Sequence, residues 1–323
     1  MSWDLNIAEA RDVYLTESDM WRYTQHFLMH AHHTTTYKHV LMKALLESLP
    51  EISDSGQLTF LQVTRHATKI YWNLTVTYKL GQLNAKEKRS GVEQVILDFQ
   101  YKHGIPSDWN FERIPEAQKE QLIKELMEIY KKYVYGSFYK SFDGTIYSFN
   151  KREGWLQLAP PYIVFFEKYK KILMNVTNYQ LALFLEKYNT KEAMVQILTK
   201  VEFVSARQSL AEFQQLLKKY GEEYCFYCNK ALKASHVDHF VPWSYVQNDV
   251  LWNFVLACPA CNSSKSNRLA DNKYLEELVE RNNAWFTYEY METYSERKLV
   301  HMYDYAIQNG FLGEWRPGNR KRA

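Results

Sequence analysis

Asp238, His239 and Asn262 combine the groups that phosphodiester hydrolysis requires. The reaction needs a base for the attacking water and a cation for the charge that develops on the phosphate. The imidazole of His239 can act as the base. Asp238 and Asn262 offer the hard oxygen ligands that magnesium or manganese prefers. We therefore predict that these three residues form a catalytic site with one divalent cation.

Further polar residues accompany this set. Lys265 follows Asn262 by three positions at the start of a predicted helix, so both side chains should project from one face. This spacing predicts that Lys265 contacts a phosphate near the ion. His236 has two interpretations, a contact to the scissile phosphate or a cap on a strand. Arg268 is either a second phosphate contact or a solvated side chain.

The four cysteines of the chain form two Cys-x-x-Cys pairs, Cys225 with Cys228 and Cys258 with Cys261. Two such pairs complete a closed tetrahedral zinc site. A closed site has no open position for water or substrate, so this zinc ion is predicted to stabilise the fold and to take no part in the reaction.

The order Asp238-His239, then Asn253, then a Cys-x-x-Cys pair that leads into Asn262 resembles the HNH endonuclease family. The spacing is similar to that in the HNH domain of RNA-guided CRISPR effector nucleases, and the resemblance covers about residues 220–270. It implies a hairpin followed by a helix around one catalytic ion. It implies His239 as general base, Asp238 and Asn262 as ligands of magnesium or manganese, and Asn253 as the residue that orients His239. The last motif position is Asn and not His, which favours these hard cations.

Helical periodicity dominates the first 200 residues. Apolar residues recur there at spacings of three and four, as from Phe60 to Leu74 and from Leu122 to Tyr133. The glycines and prolines of residues 142–161 predict a loop, with a short hairpin at Gly144-Thr145.

Ser205 and Gln208 fit a capping box, which predicts a helix from residue 206 towards the first cysteine pair. The predicted protein is mainly α, with a large helical domain before a small ββα-metal nuclease domain that holds the structural zinc. Its three predicted parts are a helical domain for recognition or partner binding (1–204), the HNH nuclease domain (205–270), and a helical extension with a basic tail (271–323).

The overall charge limits how this protein could bind nucleic acid. The chain has 40 basic and 37 acidic residues and a net charge of +3. A protein that binds DNA by charge alone is far more basic, so we expect a local patch, a specific fit or a partner. The predicted partners are DNA (with RNA as the alternative substrate), a protein such as an ATPase, and a second copy of the chain. No membrane span or signal peptide is predicted, so the expected location is cytoplasmic.

The function predicted first is a DNA endonuclease in restriction or anti-phage defence, and a homing endonuclease is the alternative biology. A non-catalytic zinc-knuckle module that binds nucleic acid or a protein is the alternative class. Such a module would keep the cysteines without needing Asp238, His239 and Asn262 together. A zinc-dependent deaminase is excluded, because four cysteines close the zinc site and Asp238 stands where that class needs Glu.

Overall fold

The computed structural model of the protein describes residues 5–31, 33–85, 88–205, 209–286 and 293–318. These residues are mostly helical, and the chain divides into two compact units, Met1–Ala206 and Arg207–Ala323. Each unit has its own cluster of buried apolar side chains. In the described part of the chain, no helix is both long enough and apolar enough to cross a membrane.

Helices form most of the first unit, unit 1. They are α1 (Glu17–Gln25), α2 (Tyr37–Ser48), α3 (Phe60–Trp72), α4 (Gly91–Lys102), α5 (Glu116–Ile129), α6 (Tyr135–Ser141), α7 (Pro160–Tyr188) and α8 (Ile197–Phe203). The two predicted apolar stripes lie on α3 and α5, and each continues into a π-helical turn, Asn73–Thr77 and Tyr130–Val134. A capping box starts α3, in which Thr59 and Gln62 each accept the other's backbone N–H.

Unit 1 also contains an antiparallel sheet that the sequence analysis missed apart from one hairpin. Its strands, in the order β1-β3-β4-β2, are β1 (Ile7–Ala8), β2 (Gln57–Thr59), β3 (Tyr147–Asn150) and β4 (Trp155–Leu158). Strands of two to four residues are too short to display an alternating pattern. The predicted hairpin is β3–β4, and its turn lies at residues 151–154 and not at Gly144-Thr145. Pro160 and Pro161, assigned to the loop, begin α7 instead, where the first turn needs no backbone donor.

The second unit, unit 2, is a hairpin surrounded by helices. Its elements are α9 (Ala211–Lys219), β5 (His236–His239), α10 (Trp243–Val246), β6 (Phe254–Ala257), α11 (Pro259–Lys265), α12 (Asn272–Trp285) and α13 (Glu296–Gln308). Leu278 of α12 and Leu299 of α13 are fully buried in the same apolar cluster as Phe254 of β6. The helices after residue 270 thus share one core with the hairpin, which differs from the predicted separate extension.

The predicted capping box at Ser205 is wrong. Helix α9 begins at Ala211, and the buried hydroxyl of Ser205 donates to Glu47 Oε1 at 2.5 Å within unit 1. Its predicted partner Gln208 lies outside the described residues. In the predicted basic tail, Arg316 donates two hydrogen bonds to Asp271 Oδ2, and residues 319–323 lie outside the described part.

Candidate active site

The four cysteines lie together in unit 2. Their sulfur atoms are all within 4.8 Å of one another, and Cys228 Sγ lies 3.8 Å from Cys258 Sγ. A tetrahedral zinc ion with bonds of about 2.3 Å needs sulfur–sulfur distances of about 3.8 Å. The four sulfurs therefore fit a single zinc ion that all of them bind.

The first cysteine pair lies in a tight turn. The Cys225 N–H donates to Lys230 O at 2.8 Å, and Asn229 adopts a left-handed φ of 54° that short polar side chains tolerate. Burial raises the pKa of the Cys225 and Cys261 thiols. A bound cation would offset this effect and keep both as thiolates, which is the form that binds zinc.

Strands β5 and β6 and helix α11 form a ββα unit beside the cysteines. The strands are antiparallel, with Asp238 opposite Val255 and His239 opposite Phe254. Cys258 follows β6 directly and is the N-terminal cap of α11, whose first residue is Pro259. A cysteine of the cluster therefore lies at the point where the hairpin passes into the helix.

Asn253 closes the loop between the two strands. Its side chain is fully buried, accepts the Val241 N–H at 2.9 Å and donates to Val241 O at 3.0 Å. The Asn253 carbonyl also accepts the Phe240 N–H at 2.8 Å. These three bonds hold the residues just after His239 against the start of β6, so Asn253 acts on the site through the backbone.

Asp238 is buried at the end of β5, and one of its carboxylate oxygens is bound by protein groups. Tyr227 Oη donates to Asp238 Oδ2 at 2.6 Å, and the Lys265 ammonium lies 3.0 Å from the same oxygen. Among the described residues no donor contacts Oδ1. Asp238 thus keeps one carboxylate oxygen for a cation.

His239 is almost completely buried, and protein groups hold its ring from two sides. Its Nε2 lies 2.8 Å from Asp249 Oδ1, and its ring packs edge-on against Phe254 with the ring centres 4.6 Å apart. No donor among the described residues contacts Nδ1. The ring is therefore fixed through Nε2, and Nδ1 is left as the nitrogen that could accept a proton.

Asn262 and His236 are in contact at the open side of the site. The Asn262 Nδ2 group donates to His236 Nδ1 at 3.1 Å, which leaves the amide oxygen of Asn262 for a cation. Asp238, His239 and Asn262 all line one cavity of about 220 Å³, and Trp243 also lines it. The structure thus brings together the three residues from which the sequence prediction started.

Lys265 and Arg268 lie differently from the prediction. The Lys265 side chain is fully buried, and its ammonium donates to His239 O at 2.8 Å as well as pairing with Asp238. The Arg268 guanidinium donates to the carbonyls of Lys265 and Ser264 at the end of α11. Both cations are used inside the protein, so their contacts give no support to the predicted phosphate contacts.

Sequence reasoning missed two residues of the site, Tyr227 and Asp249. Tyr227 lies between the first two cysteines and was absorbed into the zinc motif, although its hydroxyl contacts Asp238. Asp249 lies in the loop after α10. The sequence could have indicated it, because it is the carboxylate between His239 and Asn253.

Comparison with known proteins gave one match. The family model described as HNH endonuclease matches residues 225–270, which is a segment of the chain and holds both cysteine pairs and the hairpin. No curated protein and no solved structure matches the chain. The match supports a nuclease-type function for this segment, and it agrees with the limited resemblance expected from the sequence.

Proposed function

We propose that this protein is a metal-dependent endonuclease that hydrolyses phosphodiester bonds in DNA. The observation that carries the proposal is that Asp238, His239 and Asn262 line one cavity of about 220 Å³. These residues supply the base and the two oxygen ligands that such a reaction needs. The family match over residues 225–270 supports the same class of activity.

The chain's own residues would act as follows. Asp238 Oδ1 and the Asn262 amide oxygen would hold a magnesium or manganese ion, both being hard oxygen donors. When bound, such an ion would supply positive charge where the phosphate and the leaving oxygen become more negative. His239 would accept a proton at Nδ1 from the attacking water while the water oxygen bonds to phosphorus and the bond from phosphorus to the 3′ oxygen breaks. The departing 3′ oxygen would take a proton from solvent. The products would carry 5′-phosphate and 3′-hydroxyl ends.

Lys265 would have a positioning role in this scheme. Its ammonium bridges the Asp238 carboxylate and the His239 carbonyl, so it holds the ion ligand and the base in fixed relation. Tyr227 supports the same carboxylate oxygen. Outer contacts of this kind commonly change metal affinity or activity by about 10- to 100-fold.

The test is a cleavage assay with the purified full-length chain on single-stranded DNA, duplex DNA and RNA, each with magnesium or manganese. We expect DNA cleavage by the wild type and a loss of at least about 100-fold in His239→Ala. His301→Ala, a histidine of α13 away from the cavity lining, is the matched control and should cleave as the wild type does.

Zinc content should be equal in all three proteins, which separates lost chemistry from lost folding. Cleavage that survives His239→Ala would exclude His239 as the base. Wild-type protein that binds DNA and cleaves no substrate with either cation would favour the non-catalytic zinc module. Preferential cleavage of RNA would change the substrate and leave the chemistry as proposed.

The role in restriction or anti-phage defence, the partner such as an ATPase and the homodimer stay predictions from the sequence. A pull-down from the native host would test the partner. The mass of the purified protein in solution would test the homodimer.

A further inference from the structure

The loop between β5 and β6 brings a second carboxylate to the proposed base. Asp249 Oδ1 lies 2.8 Å from His239 Nε2, and the two side chains are only 13% and 5% exposed. We propose that Asp249 is a positioning residue that fixes the tautomer and the orientation of His239. This inference rests on the proposed function, in which His239 is the general base.

The backbone holds Asp249 in place independently of its contact with His239. After α10, Gln247 adopts a left-handed φ of 51° and donates its N–H to Trp243 O, which turns the chain back. A positive φ is uncommon for a residue with a side chain and indicates that the surrounding structure determines the turn. The hydrogen bonds of Asn253 to Val241 close the same loop at its base. Asp249 therefore belongs to a closed and well-fixed loop.

The chemistry of the pair determines which ring nitrogen carries the proton. An ionised carboxylate can only accept hydrogen bonds, so the His239 nitrogen that faces Asp249 must be the protonated one. In a neutral ring this places the hydrogen on Nε2 and the lone pair on Nδ1. A base needs that lone pair, and a ring in the other tautomer could not accept a proton at the same position.

Asp238 cannot replace Asp249 in this role. The Asp238 oxygen Oδ2 already accepts from Tyr227 and pairs with Lys265, and the residue belongs to the strand and not to the loop. The Phe254 ring, 4.6 Å from the His239 ring and at 82° to it, limits rotation without a polar contact. The two carboxylates thus have different roles: Asp238 binds the cation, and Asp249 orients the base. In serine proteases an aspartate likewise orients the base, although there it contacts Nδ1 and Nε2 accepts the proton.

The first experiment measures the tautomer of His239 directly. Full-length, zinc-loaded protein with ¹⁵N-labelled histidine would be examined by long-range ¹H–¹⁵N correlation, and His239→Ala would assign the signal among the 10 histidines. We expect the Nε2–H tautomer in the wild type. In D249N the new amide can donate to Nε2, so the signal should move towards the Nδ1–H form. An unchanged tautomer in D249N would overturn the inference.

The second experiment measures cleavage by D249N, D249E and D304N. We expect kcat to fall by about 100- to 10,000-fold in D249N, the range of general base catalysis, with KM and the half-saturating magnesium concentration within about twofold. D249E keeps a carboxylate and should recover part of the loss. D304N makes the same chemical change at an exposed aspartate of α13 and should behave as the wild type.

These readouts separate the inference from the function on which it rests. If no substrate is cleaved, the tautomer experiment still tests the Asp249–His239 pair. A wild-type kcat in D249N would overturn the inference while the endonuclease function stands. A large loss of magnesium affinity with an unchanged tautomer would instead make Asp249 an ion ligand and also overturn it. Zinc content and thermal unfolding would confirm that each variant folds, and D249E keeps the test valid if D249N does not.

Discussion

The ammonium of Lys265 lies 3.0 Å from Asp238 Oδ2, and neither side chain exposes more than 8% of its area. The same ammonium donates to His239 O, and Tyr227 donates to the same carboxylate oxygen. Asp238 is thus held by a buried network that spans β5, the turn of the first cysteine pair and α11. This network makes Lys265 part of the folded structure before any substrate or cation binds.

We predict that Lys265→Ala destabilises unit 2 by about 3–5 kcal/mol, because it leaves the Asp238 carboxylate buried without its partner. The measurement is urea denaturation followed by hydrogen-exchange mass spectrometry, which resolves peptides of each unit. Lys233→Ala removes an exposed lysine of the same unit and should change the free energy of unfolding by no more than about 0.5 kcal/mol. If Lys265→Ala keeps wild-type stability and weakens only substrate binding, Lys265 contacts the phosphate as its sequence spacing predicts.

The difference between the predicted and observed positions of Lys265 has a simple geometric reason. The predicted helix exists, but Lys265 lies four residues after Cys261, and both side chains are buried. Around the helix axis Lys265 lies between the two earlier residues, about 40° from Cys261 and about 60° from Asn262. A short helix can therefore bury Lys265 and leave Asn262 at the cavity. The sequence alone does not show where the buried face of the helix ends.

The parts of the site that sequence could predict are those with fixed local spacing. The adjacent Asp238 and His239, the cysteine pairs and Asn262 follow from position along a strand, a turn and a helix. The contact of Asp249 with His239 depends on the path of a loop, and that path is set by the left-handed Gln247 and the buried Asn253. A loop path that depends on such contacts leaves no periodic pattern in the sequence. The strands of unit 1 were missed because they are also too short to show one.

We predict that Asn253→Ala destabilises unit 2 by roughly 2–4 kcal/mol. The substitution leaves the buried N–H and C=O of Val241 without the partners that they have at 2.9 and 3.0 Å, and each such loss costs about 1–3 kcal/mol. Asn253→Asp keeps an acceptor for the Val241 N–H but places a second oxygen against the Val241 carbonyl, so it should also destabilise unit 2. The same denaturation experiment measures both variants, and a loss below about 0.5 kcal/mol in Asn253→Ala would contradict the role of Asn253 in closing the loop.

We predict that removal of zinc unfolds unit 2 and leaves unit 1 folded, because each unit has a separate apolar core and the cysteines belong to the second. Binding energy at a structural zinc site contributes directly to folding. A strong chelator should increase hydrogen exchange throughout residues 209–286 and leave the exchange of residues 88–205 unchanged. Cys228→Ser should have the same effect without chelator. Zinc should restore protection in the chelated wild type, and magnesium should not.

Unit 1 should show a pH dependence that comes from His66. Its Nε2 lies 2.7 Å from Glu51 Oε1, and its Nδ1 lies 3.4 Å from Glu47 Oε2. Burial alone would lower the pKa of His66, but the two carboxylates raise it to about 9. Because this value exceeds the unfolded pKa of about 6.5, the stability from His66 is fully present below pH 6.5 and is lost as the pH rises to about 9.

We therefore predict that His66→Gln lowers the free energy of unfolding of unit 1 more at pH 6 than at pH 9. The two losses should differ by on the order of 2–3 kcal/mol. Burial lowers the pKa of Lys170 to about 7, so Lys170 titrates over part of this range with the opposite sign. Because Lys170 is present in both proteins, the difference between them isolates His66. His26→Gln makes the same chemical change at an exposed histidine and is the matched control. A pH-independent effect of His66→Gln would show that folding leaves the pKa of His66 unchanged and would contradict the role of the two carboxylates.

The contact of His236 with Asn262 predicts that His236 affects the affinity for the proposed catalytic cation and leaves the zinc content unchanged. His236 Nδ1 accepts from Asn262 Nδ2 at 3.1 Å and so keeps the amide oxygen of Asn262 on the opposite side, where it could bind the ion. In His236→Ala the amide would be free to rotate. We expect the half-saturating magnesium concentration for cleavage to rise by about 10-fold, the lower end of the range for residues that orient a ligand.

His236→Asn, which keeps a short acceptor, should lie closer to the wild type, and zinc content should be equal in all three proteins. If His236→Ala instead raises KM for DNA at saturating magnesium, His236 contacts the scissile phosphate, which is one of the two interpretations that the sequence allowed.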